Sequence, residues 1–382
     1  MLGVTSREMV RVGDGMVPQA AGLPGLLAAP VPQDEALQVA LASLSPAALR
    51  CLLDRIAFHR IDGLAQRAVS RLPRESLDPW LRLALKRRAQ RFAAATLSQA
   101  LALAEILEAL KRVSIPVVVM RGLRTLEAVY GDPGLRPFED HDLLVLPEDR
   151  DAVRAALVRQ GYEEKAWGLF RRGGVLVDLH IDPLGAHRRP SREALFPVHV
   201  RSLFARATPG MVAGAPSLLL EPEDDLLLLA VHLVKHSFDR LVRIADVAHF
   251  VYQTRGVLDW GRLFRRAEDC GAVRVVGWAL QAAALLGVSV RAVDLPAVED
   301  DGRLARYLMS RVLDLRPLPF TGEALMAFAA PTLRTRLLFI LDAFWPAGER
   351  PEGAWRRTGA LPRRVLDLVK GGATQVVERR RM

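Results

Sequence analysis

Apolar residues recur with helical spacing along most of the chain, and one stretch near the middle replaces that rhythm with short β-branched runs. Residues 1–33 are rich in Gly and Pro with little periodicity, which predicts a poorly ordered N-terminal segment. From Gln33 the pattern turns helical. Residues 34–44, Pro46–His59 and 62–72 are expected as short helices separated by Ser, Pro and Gly signals. Residues 81–113 contain neither Gly nor Pro, and Leu97, Leu101, Ala104, Leu107 and Leu110 fall on what reads as one apolar stripe of a long helix.

The rhythm changes at Ser114. Residues 115–120 (Ile-Pro-Val-Val-Val-Met) have the composition of a buried strand with proline at its start. A helix over 123–130 is expected next, then a turn at Gly131-Asp132-Pro133-Gly134, a strand over 142–146 and an amphipathic helix over 148–160 ended by Gly161. Residues 168–171 and 175–181 read as two strands joined through Gly173-Gly174, a hairpin turn. The pattern is an α+β unit set between helical regions. Beyond 191 the chain turns mostly helical again. One helix starts near Pro222 with Glu223, Asp224 and Asp225 in its first turn, where they favour the helix dipole, and others are expected over 241–252, 259–270 and 273–286.

Bulk composition narrows the class without naming it. A chain of 382 residues, 51% apolar and 25% charged, has room for two or three domains and an ordinary globular core. No run of 18 apolar residues is evident, so no membrane span is expected, nor is a secretory signal. Cys51 and Cys270 are far apart and in no metal-ligand spacing, which points away from a disulfide framework and towards a cytoplasmic protein. The net charge of +10 invites a nucleic-acid partner, but only five basic residues are lysines and the arginines are spread along the chain. The one local cluster, Arg379-Arg380-Arg381, reads first as a solvated tail, so nucleic acid is a weakly supported partner.

Chemistry concentrates in the α+β unit. Asp140 and Asp142 flank His141 at the start of a strand, and residues two apart on a strand face the same side. Asp178 sits in a second strand, with His180 following on the same face. If the two strands are neighbours, three carboxylates meet, and desolvated like charges need a cation between them. Hard oxygen ligands suit Mg²⁺ or Mn²⁺. On the phosphate side, Arg121 and Gly122 close the first strand and open a helix, where a guanidinium, a helix N-terminus and a glycine all favour an approaching anion. Arg136 is a further phosphate contact by position.

Each of these residues also has a structural reading. Asp140 can cap a turn, Asp142 can pair with Arg136, Asp178 can be a buried ion-pair partner, and Gly122 can serve only a tight turn. His180 suits a general base, a metal ligand or a plain hydrogen-bonding role. His232 and His236 are four apart on one helix, but the intervening Leu-Val-Lys lacks the glutamate of a metalloprotease helix. With Lys235 they fit anion or acceptor binding, or simple helix packing.

Taken together, "IPVVVMRGLRTLEAVYGDPGLRPFEDHDLLV", the Gly161-Tyr162 pair and "VLVDLHIDPL" resemble the uncharacterised nucleotidyltransferase family of the polymerase-β-like superfamily. In that family a strand ends in Lys-Gly, a Tyr and an Arg lead to an Asp-x-Asp pair, and a Val-Asp-Leu-His strand follows. The matching positions here are Arg121-Gly122, Tyr130, Arg136, Asp140/Asp142 and Asp178-Leu179-His180. The resemblance runs on through "EPEDDLLLLAVHLVKHSFDRLVRIADVAHFV" and "LDWGRLFRRAEDCGA", over roughly residues 50–290. It implies an α+β fold with a small mixed-sheet palm over 114–190. An N-terminal helical region (34–113), a helical substrate-side region (191–290) and a C-terminal helical region with the basic tail (291–382) would flank it. It also implies metal-dependent transfer of a nucleotidyl group from an NTP to an unidentified acceptor with release of pyrophosphate. Asp140, Asp142 and Asp178 would hold the metals, and Arg121, Gly122 and Arg136 would hold the triphosphate. Arg121 stands where the family has lysine, which changes the geometry of the charge. That departure leaves open a nucleotide-binding or scaffold protein without turnover, and the basic tail leaves open a nucleic-acid-binding protein.

Overall fold

The computed structural model describes residues 9–12, 15–18, 22–166, 168–184, 198–288, 303–315, 321–330 and 332–337. The basic tail and part of segment 1–33 lie outside the described residues. A hairpin of β1 (Met9–Val12) and β2 (Gly15–Pro18) precedes α1 (Gly22–Ala28). The helix at the end of the supposedly irregular segment buries Leu27 and Ala28, and seven residues including Pro24 are too few to display a helical period. Next come α2 (Asp34–Ala42), α3 (Pro46–His59) and α4 (Asp62–Ser70). Ser45 caps α3 by accepting from the Ala48 amide, Pro46 sits at its first turn, and Arg60 closes it in a left-handed conformation.

The long helix α5 spans Pro79–Arg112, and the Asp78 carboxylate accepts from the Trp80 and Leu81 amides at its start. The second half of the expected stripe is buried and the first half is not: Leu107 and Leu110 are buried together with Leu103 and Ile106, whereas Leu97 and Leu101 are 56% and 70% exposed. The helix carries leucines and alanines on more than one face, so spacing alone did not choose the phase. By length and composition α5 also passes the test for a membrane span, with a best window of mean hydropathy 1.3 and 33% of it buried. A core helix passes the same test, and the inner side of α5 packs on the sheet described next.

After α5 the chain forms β3 (Val118–Met120), α6 (Gly122–Thr125), β4 (His141–Leu144), α7 (Arg150–Arg159), β5 (Glu163–Ala166), β6 (Leu169–Arg172), β7 (Val175–His180), α8 (Val200–Arg206), β8 (Thr208–Val212) and β9 (Ala215–Leu219). The seven strands β3–β9 make one mixed sheet in the order β5-β6-β7-β4-β3-β9-β8. β4 runs parallel to β7 and antiparallel to β3, and β3 runs parallel to β9. The mixed sheet agrees with the α+β expectation, but it is wider than the sequence indicated. β5 is polar and largely exposed at one edge, so it lacks an apolar alternation; β8, at the other edge, carries Pro209 and Gly210, and its inner neighbour β9 carries Pro216 away from its registered pair with β3, Val118 and Leu218.

The sheet divides two cores. One face sends Val119, Leu143, Val145, Val177 and Leu179 into a cluster with α5 and α7. The other sends Val118, Met120 and Leu144 into a larger cluster with the flanking helices. Those helices include α9 (Pro222–Lys235), α10 (Leu241–Thr254), α11 (Trp260–Asp269), α12 (Val273–Ala284), α13 (Arg303–Leu313) and α14 (Thr321–Ala329). Residues from α1 to α4 join the same cluster, so one core serves helices on both sides of the sheet in sequence.

Two histidines in this core are held neutral by the fold. His59 Nδ1 accepts from the Leu241 amide at 3.4 Å, and His249 Nε2 donates to the Ala28 carbonyl at 3.0 Å. Burial, with nearby arginines adding to it, lowers each from the ordinary 6.5 to about 3. Between those values the unfolded chain binds the proton and the folded chain does not, so their contribution is full above about pH 6.5 and is lost as pH falls towards 3. Substituting His249→Gln is therefore expected to flatten the slope of unfolding free energy against pH by about 1.4 kcal/mol per unit over pH 6 to 4. Urea unfolding at several pH values measures this; parallel slopes for the two proteins would contradict it.

Candidate functional site

The register of the sheet brings the acids together. Asp142 in β4 lies directly opposite Asp178 in the parallel strand β7, and His180 lies opposite Leu144 two residues along. Side chains that alternate along neighbouring in-register strands share a face, so Asp142, Asp178 and His180 project to the same side. One potential ligand atom from each of these three lies within 4.8 Å of the others. His180 Nε2 contacts Asp142 Oδ1 at 2.9 Å and Asp178 Oδ2 at 3.3 Å. A carboxylate can only accept, so the imidazole donates. Burial alone would disfavour charge on His180, but its hydrogen bonds to Asp142 and Asp178 outweigh that and raise its pKa.

Arg121 completes the group. Its Nη2 donates to Asp142 Oδ1 at 2.6 Å and its Nε to Asp142 Oδ2 at 3.0 Å, a two-pronged pair at 9% and 11% side-chain exposure. Burial would raise the Asp142 pKa; the Arg121 charge and the His180 bond overcome it and hold the carboxylate well below its usual range. The alternative partner raised by the sequence, Arg136, does not reach Asp142.

Asp140 sits just before β4 and shares the field of this group. Burial first, then Asp142, raises its carboxyl from 3.8 to about 6, although Arg121 acts in the opposite direction. The cluster thus carries more negative charge than one guanidinium and one imidazole neutralise. Gly122 opens α6 at φ +44°, and a Cβ there would lie 3.3 Å from the Asp140 carbonyl oxygen. Both conformation and space favour glycine, which lets the turn after β3 press against the acidic loop. Arg121 itself holds φ 52° and ψ −151°, a region that side-chain-bearing residues avoid.

The residues expected at the phosphates separate. Arg121 and Gly122 adjoin the acids, whereas Arg136 is 8% exposed and committed elsewhere. Its Nε lies 3.0 Å from both oxygens of Asp246 and its Nη2 2.7 Å from Oδ2, while the Tyr130 hydroxyl donates to Oδ1 at 3.0 Å. Asp246, 110 residues further along, takes the donors that a phosphate contact would have used. This pair fastens the loop before β4 to α10. A second pair, Arg124 with Asp225 at 3.2 Å, fastens α6 to α9.

Those clamps bring the end of α9 over the acids. The His232 and His236 rings lie against each other at a tilt of 54°, with centroids 4.4 Å apart. Burial lowers both, and Arg121, Lys235 and Arg243 add to the effect; His236 falls to about 2. Asp142 pulls the other way on His236, which puts this ring in the field of the acidic group. His232 Nδ1 is buried without a hydrogen-bond partner among the described residues. Arg243 in α10, ion-paired with Asp239, was not anticipated. The signal available was the i,i+4 spacing of Asp239 and Arg243 just past the His232–His236 pair. The turn between these helices holds Ser237 and Phe238 at φ 59° and 52°, a second strained segment beside the site.

Comparison with other proteins bears on what this arrangement is. No curated protein matches. Among solved structures, an antigenic nucleotidyltransferase-like protein from Paracoccidioides brasiliensis aligns at 16% identity over 52% of this chain and 95% of its own, with a TM-score of 0.33, too loose a likeness to argue from. The profile of the family described as "Uncharacterised nucleotidyltransferase" matches residues 45–287. That span holds the whole sheet, the acidic cluster and the α9–α10 corner, and it is well over half of the chain, which therefore belongs to the uncharacterised nucleotidyltransferase family.

Proposed function

We propose that the protein transfers a nucleotidyl group from an NTP to a hydroxyl-bearing acceptor. The observation that carries this reading is the parallel register of Asp142 and Asp178, which gathers two acids and His180 on one face beside Asp140. The donor set fits a hard divalent cation such as Mg²⁺ or Mn²⁺: carboxylate oxygens predominate, and Asp140 is raised first by burial and then by the negative charge of Asp142 and Asp178. Asp140, Asp142 and Asp178 are the residues that would hold the metal, which would supply charge stabilisation for the reacting phosphoryl oxygens.

In the reaction the acceptor oxygen bonds to the α-phosphorus, the bond to the bridging oxygen breaks, and pyrophosphate leaves. The acceptor proton passes to a neighbouring carboxylate, for which Asp178 is best placed, and then to solvent. Arg121 and Gly122 would meet the polyphosphate from the strand side. His232, Lys235, His236 and Arg243 would meet it, or the acceptor, from the α9–α10 corner, where burial and the nearby positive charges keep both histidines neutral and Arg243 pairs with Asp239. The two cysteines, Cys51 and Cys270, are both free, in keeping with the cytoplasmic location we expect.

A second reading draws on Arg121. Both oxygens of Asp142 are taken up by its guanidinium, which also suits a protein that binds nucleotides without turning them over. Incubation with α-³²P-labelled and, separately, γ-³²P-labelled NTPs in host lysate separates the two. Transfer predicts that only the α label enters a heavier product. Bound nucleotide with no labelled product would favour the second reading, and γ-label incorporation would mean phosphotransfer instead.

A further inference from the structure

The Arg121–Asp142 pair is hard to reconcile with a metal site that fills independently. Asp142 Oδ1 accepts from Arg121 Nη2 and His180 Nε2, and Oδ2 accepts from Arg121 Nε. A cation that takes Asp142 as a ligand therefore meets a positive guanidinium on both oxygens, and binds most favourably once that group has moved away. The displaced group is almost wholly buried, and a buried arginine leaves a carboxylate readily only if another anion receives it. Towards the α9–α10 corner Arg121 acts on His232 and His236, on which Lys235 and Arg243 act as well, and the acid beside them, Asp239, is already paired with Arg243.

We propose that Arg121 is an exchangeable counter-ion, so that Asp142 takes a divalent cation only together with a polyphosphate that draws the guanidinium towards the α9–α10 corner. The idea rests on the nucleotidyl-transfer reading for its choice of ligand class, a metal–polyphosphate complex, and on the observed contacts for the rest. Three features support it. The backbone of Arg121 is held at φ 52° and ψ −151°, so the Cα is fixed by its surroundings and exchange is left to the long side chain. The corner that would receive the polyphosphate carries a buried His232 Nδ1 with no hydrogen-bond partner among the described residues. Arginine also forms a fork that matches both carboxylate and phosphate, whereas lysine makes a single-point contact and would give up the carboxylate more easily. The exchange makes binding ordered: cation and polyphosphate each favour the other, reciprocally. In the absence of substrate Asp142 stays paired with Arg121 and His180.

The test reads metal binding, with no nucleotide, acceptor or turnover involved. Mn²⁺ alone is titrated into the full chain, and free Mn²⁺ is followed by electron paramagnetic resonance. Arg121→Gln is expected to bind Mn²⁺ at least about tenfold more tightly than wild type, because the competitor for Asp142 is gone. Arg121→Lys, which keeps the charge but loses the fork, is expected in between, and it serves as the second variant should the glutamine protein fail the circular-dichroism check of folding. Adding Asp142→Asn to either variant should abolish the gain. Equal Mn²⁺ affinity in wild type and variants, or a gain that survives Asp142→Asn, would overturn the counter-ion role. Failure of the transferase reading would look different: no α-label transfer in any assay, with the Mn²⁺ result unaffected.

Discussion

Substituting Asp178→Asn is expected to lower nucleotidyl transfer by at least about 10³-fold, corresponding to about 4 kcal/mol of lost transition-state stabilisation. The substitution keeps size and hydrogen-bonding capacity but removes one of the two acids that the β4–β7 register places side by side. Asp142 retains Arg121 and His180, so the buried ion pair survives and the unfolding midpoint should shift little. That separation is why Asp178 is a cleaner probe than Asp142, whose loss would also strand a buried arginine. Steady-state assay with α-labelled NTP, alongside thermal unfolding, measures both quantities. Turnover within a few-fold of wild type would remove Asp178 from the chemistry.

The largest effect on stability is expected at Asp246→Ala. The Asp246 side chain is 3% exposed and receives the Arg136 guanidinium side-on through Nε and Nη2, and the Tyr130 hydroxyl besides. Removing it leaves a buried cation and a buried hydroxyl without their acceptor, at a cost of about 3–5 kcal/mol. Replacing both charged partners, as in Arg136→Met with Asp246→Leu, is expected to recover most of that loss, because the penalty belongs to the stranded charge more than to the pair. Denaturant unfolding of the three proteins measures it; a double variant as unstable as the single one would contradict the account. The pair also fastens the loop that leads into Asp140 and Asp142, so Asp246→Ala should weaken turnover even at temperatures where it stays folded.

The sequence made some of this legible because the relevant signals are local. The β-branched run at 117–119, the alternation in Val175–His180 and the double glycine at Gly173-Gly174 each belong to one short segment, and the strands formed where those signals lie. Asp-x-Asp before one strand and Asp-x-His within another reveal that acids could meet, and only the parallel pairing of β4 with β7 decides that they do. Long-range satisfaction of charge was not legible. Arg136 looks like a phosphate ligand from its position before Asp140, but Asp246 answers it from 110 residues away. Arg121 looks available until its fork is seen on Asp142. The stripe of α5 was legible at Leu107 and Leu110 but not at Leu97 and Leu101, because leucine and alanine occupy several of its faces and the sheet covers only the side holding Leu103, Ile106, Leu107 and Leu110. The edge strands β5 and β8 escaped because edges tolerate charge, proline and glycine, which are the residues that argue against a strand, and β9 escaped beside β8 because it carries Pro216.

The central claim is that the face shared by β4 and β7 holds a metal–nucleotide complex, and diffraction from crystals grown with Mn²⁺ and a non-hydrolysable NTP, collected at the manganese edge, tests it most directly. The account predicts an anomalous peak within coordination distance of Asp142 and Asp178, the triphosphate beside it, and the Arg121 guanidinium turned from the carboxylate to a phosphate oxygen. An ordered nucleotide bound elsewhere, or saturating Mn²⁺ with no peak at these acids and Arg121 still on Asp142, would contradict it.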